Sequence, residues 1–266
     1  MNGIIIGNFN PITLSDIEKV KKERKNHKLD VVYFMLKDDG QQNLVDLKKI
    51  LAISISPYKK FKIIDTLPKE ELYSISEDSL TQSLVRKGDF KYISKPVRSY
   101  IMKKGLYCNS IIASMLKENR FNHSISVANT CVEIAKYHNI DLHKAYIAGI
   151  YHDIAKNLSI QDSQFYINIE KPYELTYPAA VWHQYIGYYL LKRYYCLTDK
   201  SILKAIRHHC LGDDKSDLSK LLFVCDKIEP TRKYDTTSLI KLAKKDLNKA
   251  YDVVKKQHQD FVKKGN

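Results

Sequence analysis

Lys144-Ala-Tyr-Ile-Ala-Gly-Ile-Tyr-His-Asp-Ile-Ala-Lys156 decides how the larger part of this chain is read. Apolar residues recur at helical spacing, and the run ends on an adjacent imidazole and carboxylate, His152 and Asp153. The helical period puts Ala145, Ala148, Gly149, His152, Asp153 and Lys156 along one face. Small residues there let a second helix approach closely, and the polar end of the stripe opens on a site. A lone histidine on such a face is ordinarily a satisfied core group. Histidine followed by aspartate, with a lysine three residues later, is much harder to explain by packing, because burying polar groups is costly.

Outward from this stretch, His123 lies one helix upstream in Asn119-Arg-Phe-Asn-His-Ser124, and Asp226 follows Leu221-Leu-Phe-Val-Cys225. The order H…HD…D lets helices converge mixed nitrogen and oxygen ligands on a divalent metal able to activate water. His183 begins a helix and shares its face with Ile186, Gly187 and Leu190. His209 continues the face of Ile202, Ala205 and Ile206, whereas His208 points away from it and is left as a supporting or surface group. His27, His138, His143 and His258 sit in polar, lysine-rich surroundings and are expected to be exposed. The metal-ligand candidates are therefore His123, His152, Asp153, His183, His209 and Asp226, more than one catalytic ion with an open position needs. They suit two ions bridged by a carboxylate, and the mixed donors fit iron, manganese or zinc better than magnesium.

The chain of 266 residues can form one large domain or two of ordinary size. Its formal net charge of +14 is mostly lysine, dispersed from Lys19 to Lys264, with no arginine-rich stripe and no aromatic–basic motif. A solvated lysine surface is the reading, and a dedicated nucleic-acid face is disfavoured. The five cysteines are scattered, never form C-x-x-C, and are read as reduced thiols without assigned chemistry. No long uncharged apolar run exists, so no membrane span is expected. The start, Met1-Asn-Gly-Ile-Ile-Ile-Gly-Asn-Phe9, reads as a buried strand and lacks the features of a signal peptide, which points to the cytoplasm.

Character changes near Leu106–Asn109. Before it, Ile4–Ile6, Val31–Leu36 and Phe61–Ile64 read as buried parallel strands, with helices around Leu14–Glu23 and Leu44–Ile53. That alternation predicts a small α/β domain over residues 1–107. After it, residues 108–266 read as all-α. The tail from Thr236 places Leu239, Leu242, Ala243, Leu247, Ala250, Val253, Val254 and Phe261 on one stripe. Breaks are expected at Lys171-Pro172, Tyr177-Pro178, Gly212-Asp213 and Glu229-Pro230.

The helical half resembles the HD-domain superfamily of metal-dependent phosphohydrolases, and within it the YqeK-type branch of symmetrical diadenosine-tetraphosphate hydrolases. The strings that carry the resemblance are residues 119–124 and 144–156, Val181-Trp-His183, Ala205-Ile-Arg-His-His-Cys-Leu-Gly212 and Phe223-Val-Cys-Asp-Lys-Ile-Glu-Pro-Thr-Arg232. The last is the specific one. Departures are Cys225, where alanine is usual, and His208, where an aromatic is common; neither removes a ligand. The resemblance implies one metal on His123, His152, Asp153 and Asp226, with Asp153 bridging to a second on His183 and His209. Activated water would attack an inner phosphorus of the tetraphosphate and release two ADP. Asp153 and Lys156 are the expected catalytic residues, and Arg120, Lys156, Lys227 and Arg232 the expected substrate contacts. Iron is the metal the family implies. Other nucleotide phosphohydrolases of the superfamily are the alternative within enzymes, and a basic nucleic-acid-binding protein is the alternative outside them. A homodimer is compatible with either.

Gly3-Ile-Ile-Ile-Gly-Asn-Phe-Asn-Pro-Ile-Thr-Leu-Ser-Asp16 resembles the first strand and loop of nicotinate-nucleotide adenylyltransferases, a Rossmann-like nucleotidyltransferase fold. Those enzymes read F-D-P-x-H-x-G-H there; this chain has Asn10, Thr13, Ser15 and Asp16. A hydroxyl and a carboxylate replace the two phosphate-binding imidazoles, and Asp16 would repel a triphosphate that a helix N-terminus otherwise attracts. Pro96-Val-Arg-Ser-Tyr-Ile101 followed by Gly105-Leu-Tyr107 matches the family's later stretch, but its phosphate motif is not recognisable in Ile75–Arg86. The implied domain is truncated and degenerate: a remnant kept for stability or oligomerisation, with a nucleotide-sensing or partner-binding module as the alternative.

Overall fold

A computed structural model describes residues 1–37, 44–170 and 176–263. The chain divides into two compact units, Met1–Ser110 and Ile111–Asn266. The Lys171-Pro172 break lies outside the described residues.

The first unit runs β1 (Asn2–Gly7), α1 (Leu14–Asn26), β2 (Val32–Leu36), α2 (Leu44–Ile55), β3 (Phe61–Ile63), β4 (Leu72–Ile75), α3 (Ser79–Arg86) and α4 (Lys95–Lys104). The sheet order is β3-β2-β1-β4, and every pair is parallel. Parallel strands are covered on both faces, which explains the near-continuous apolar run of β1. Ile4, Ile5, Val32 and Phe34 are all buried. The fourth strand has no such signature: Leu-Tyr-Ser-Ile buries only Ile75, and its place is set by pairing with β1.

The loop after β1 is closed by its own side chains. Thr13 caps α1 and accepts from Asp16 N, while the Asp16 carboxylate accepts from Thr13 N at 2.9 Å and Thr13 Oγ1 at 2.8 Å. Its other oxygen accepts from Asp78 N at 2.7 Å. Burial pushes the Asp16 carboxyl above its ordinary value, against the pull of these hydrogen bonds. Glu77 covers Gly7 so closely that a Cβ there would lie 2.4 Å from its carboxylate. Gln82 accepts from Asn10 N at 3.0 Å and donates to Glu77 at 3.1 Å. Of the N–H groups that the start of α1 offers an anion, those of Thr13 and Asp16 are thus engaged by the chain itself.

Past α5 (Cys108–Met115), within which the division falls, the second unit is helical: α6 (Glu118–Ala135), α7 (Leu142–Tyr151), α8 (Ile160–Glu170), α9 (Trp182–Tyr189), α10 (Lys200–His208), α11 (Asp217–Ile228), α12 (Thr237–Lys245) and α13 (Leu247–Lys263). Packing of α6 on α7 is set by Gly149, where a Cβ would meet Ala128 Cα at 2.5 Å and Ala128 N at 2.9 Å. Leu221, Leu222, Phe223 and Val224 of α11 are fully buried at the centre of the bundle. No helix among the described residues is long and apolar enough to cross a membrane.

Two sequence expectations change. The tail is not one stripe: Asp246 leaves helical geometry, and its carboxylate caps α13 by accepting from Lys249 N at 2.9 Å. Phe261 is 56% exposed. The helix carrying the His-Asp pair also stops sooner, at Tyr151, so Lys156 follows two tight turns, Ile154 N to Tyr151 O and Lys156 N to Asp153 O.

Two stability outcomes follow. Gly149→Ala should cost on the order of 1–3 kcal/mol in urea unfolding, because the obstructing atoms are backbone and cannot yield. Asp199 caps α10, pairs with Lys144 Nζ at 2.9 Å, and has its carboxyl pulled from 3.8 to about 2; burial opposes this, and Ser201 and Lys144 outweigh it. Asp199→Ala should therefore cost about 1 kcal/mol at neutral pH. A depressed carboxyl stabilises above its unfolded value, so the gap between the two proteins should narrow as pH falls from 3.8 toward about 2.

Candidate metal centre

Five helices each bring one part of the site. His123 comes from α6, His152 and Asp153 from the end of α7, His183 from the start of α9, His209 from the end of α10, and Asp226 from the last turn of α11. His123, His152, Asp153, His183 and His209 are all buried, and the Asp226 side chain is 13% exposed.

The two oxygens of Asp153 face different partners. Oδ1 lies 3.1 Å from His183 Nε2 and 3.7 Å from His209 Nε2. Oδ2 lies 3.7 Å from His152 Nε2 and 4.0 Å from His123 Nε2. Asp226 Oδ1 completes the second group, 3.1 Å from His123 Nε2 and 3.6 Å from His152 Nε2. Two donor clusters therefore share one carboxylate.

A repeated local device aims the rings. His152 Nδ1 lies 2.7 Å from Gly149 O, and His209 Nδ1 lies 2.7 Å from Ile206 O. A carbonyl only accepts, so each Nδ1 carries a proton and each ring turns its Nε2 into the cluster. In both cases the carbonyl is the one the residue after the histidine would use to extend the α-helix. The helix stops there, and at the second site Cys210 N donates to buried Gln184 Oε1 instead, at 3.0 Å. His123 Nδ1 faces Glu229 Oε1 at 3.0 Å, and Thr231 donates to both oxygens of that buried carboxylate.

The protonation preferences suit cation binding. Burial opposes ionisation of Asp153, but His152 and His183 hold its carboxyl well below the ordinary range. Asp226 is likewise held well below, by Lys227 and His123 against burial. Burial pushes His183 down and His209 down to about 4, keeping both imidazoles neutral. For His123 burial pulls down, yet Asp226 and Glu229 raise it to about 9, so a metal there must displace a proton. The donor set, four inward imidazole nitrogens and two ionised carboxylates, fits divalent ions of the iron, manganese or zinc kind.

The six ligand candidates and the four expected substrate contacts all lie in this region. Arg120 lies 3.4 Å from Asp153 Oδ2 with its side chain 37% exposed, and Lys156 Nζ lies 3.3 Å from His183 Nδ1. Lys227 Nζ bonds Asp226 Oδ2 at 2.7 Å and His209 O at 2.9 Å, and Arg232 donates to Asp226 Oδ1 at 2.9 Å. His208 instead pairs with Asp213 at the surface. His138 and His258 are half-buried rather than exposed, the first on Ala243 O and the second against Phe223. Two participants escaped the sequence reading. Glu229 was visible only as the acid in Asp-Lys-Ile-Glu-Pro. Cys210, whose thiol burial pushes up to about 12, stands beside His209 with no spacing signal of its own.

Comparison with known proteins gives the family. Residues 120–231 match the HD domain family. A Mycoplasma genitalium protein named "Probable nicotinate-nucleotide adenylyltransferase/Ap4A hydrolase" is 28% identical over 99% of this chain and 81% of its own length. The "Bis(5'-nucleosyl)-tetraphosphatase, symmetrical" of Bacillus subtilis is 35% identical over 58% of this chain and 86% of its own length. Among solved structures, a predicted HD superfamily hydrolase involved in NAD metabolism from Clostridium acetobutylicum superposes with a TM-score of 0.54 at 30% identity. It covers 60% of this chain and 87% of that one. The chain belongs to the HD-domain hydrolase family that contains the symmetrical bis(5'-nucleosyl)-tetraphosphatases.

Proposed function

We propose that the helical part, residues 108–266, hydrolyses diadenosine tetraphosphate symmetrically to two ADP at a centre for two divalent ions, iron being favoured over manganese or zinc. The observation that carries this reading is the Asp153 carboxylate, with one oxygen toward each histidine pair. Bound ions would supply Lewis-acid neutralisation of the phosphates and a water of lowered pKa.

The chain's own groups do the rest. His123, His152, Asp153 and Asp226 would hold one ion, and His183, His209 and Asp153 the other. Arg120 and Lys156, part-exposed beside Asp153 and His183, are assigned to the phosphate chain, where cationic donors stabilise charge developing on the phosphoryl oxygens. Lys227 and Arg232 are tied to Asp226 and serve first to fix that carboxylate. Glu229 orients His123.

For residues 1–107 the parallel order β3-β2-β1-β4 supports a truncated, Rossmann-like nucleotidyltransferase fold. We assign it no adenylyl transfer. Asp16 and Thr13 bond each other, Asp16 also accepts from Asp78 N, and Glu77 accepts from Phe9 N in the loop where a triphosphate would dock.

Incubation with diadenosine tetraphosphate and iron or manganese should yield ADP alone, and a chelator should abolish turnover. Products of AMP plus ATP, or no turnover, would overturn the reading. ATP and nicotinate mononucleotide should release no pyrophosphate. Asp153→Asn should lower kcat by more than about a hundredfold, since losing even an outer partner of a ligand costs about ten- to a hundredfold. Glu229→Gln should weaken metal affinity by that smaller factor, read by competition with a chromogenic chelator.

A further inference from the structure

The Cys210 thiol lies among the donors of the second cluster. Its Sγ is 3.2 Å from His183 Nε2 and 3.3 Å from His209 Nε2. Asp153 Oδ1 approaches the same two nitrogens at 3.1 and 3.7 Å. A four-coordinate ion with bonds of about 2.0–2.3 Å holds neighbouring nitrogen, oxygen and sulfur donors roughly 3.3–3.6 Å apart. The spacings of this group bracket that range. The thiol's position is also built rather than incidental. Fully buried Gln184 fixes the Cys210 N–H, and Gly212 turns the chain immediately afterwards at φ 57, with Phe223 packed where a Cβ would stand.

We propose that Cys210 is a fourth protein donor to the second metal position, beside His183, His209 and Asp153, and that this thiolate-containing set biases the position toward zinc or iron and away from magnesium. The proposal rests on the two-ion reading above and adds a ligand to it. On metal binding the S–H bond breaks, its proton passes to solvent, and the sulfur lone pair bonds the ion; no oxidation is involved.

Cobalt(II) tests this without reference to turnover. Full-length protein stripped of metal and titrated with cobalt should show a near-ultraviolet sulfur-to-cobalt charge-transfer band as the second ion binds. Cys210→Ser, nearly the same size, should lose the band and bind that ion at least about tenfold more weakly. Cys196→Ser should keep both. A band that survives in Cys210→Ser, or no band in wild-type protein carrying two cobalt ions, would overturn the proposal while leaving the two-ion hydrolase intact. Failure of the wild-type protein to take up a second ion would overturn both.

Discussion

The rest of the site depends on one carboxylate dividing itself between two pairs of imidazoles. Asp153 Oδ1 faces His183 and His209, and Oδ2 faces His152 and His123, so α7 and α10 must end, α9 must begin and α6 must pass within a few ångströms of one side chain. A buried carboxylate with so many nitrogen donors turned toward it is costly unless charge is balanced. Arg120 beside Asp153 and, at Asp226, Lys227 and Arg232 supply cationic partners within the protein.

Convergence of this kind needs short interhelical distances and fixed rings. Gly149 supplies the first, by letting α7 meet the backbone of α6 at Ala128. Helix termination supplies the second. At both Gly149–His152 and Ile206–His209 the side chain takes the carbonyl three residues back, which stops the helix and fixes the tautomer in one step. The same bond thus accounts for a local feature of the backbone and for the chemistry of the ring. It also releases the next N–H, which is how Gln184 comes to hold Cys210.

The sheet-bearing unit shows the opposite use of a similar element. A helix start after a parallel strand is a ready anion site, but here Asp16 closes the capping box and bonds Asp78, and Glu77 lies over Gly7. Asp16 does more there than add negative charge: its carboxylate is an internal acceptor for Thr13 and Asp78.

Helical phase in the sequence put His152, Asp153, His183 and His209 on helix faces and set His208 aside, since phase is a local property that 3.6 residues per turn impose on any helix; the order H…HD…D added His123 and Asp226. The apolar runs of β1 and β2 were legible because the central strands of a parallel sheet are covered on both faces, while β3, at the edge, keeps only Phe61 buried and exposes Lys62. The strand β4, the interruption at Asp246, the carboxylate of Glu229 behind His123 and the thiol of Cys210 beside His183 were not legible. Each is defined by a partner distant along the chain, or by competition for a hydrogen bond that leaves no periodic trace. The sequence by itself determined which donors the protein owns and which helix faces carry them. Tertiary structure decided how they divide into two clusters around Asp153, because only packing sets distances between residues that are 29 to 106 positions apart.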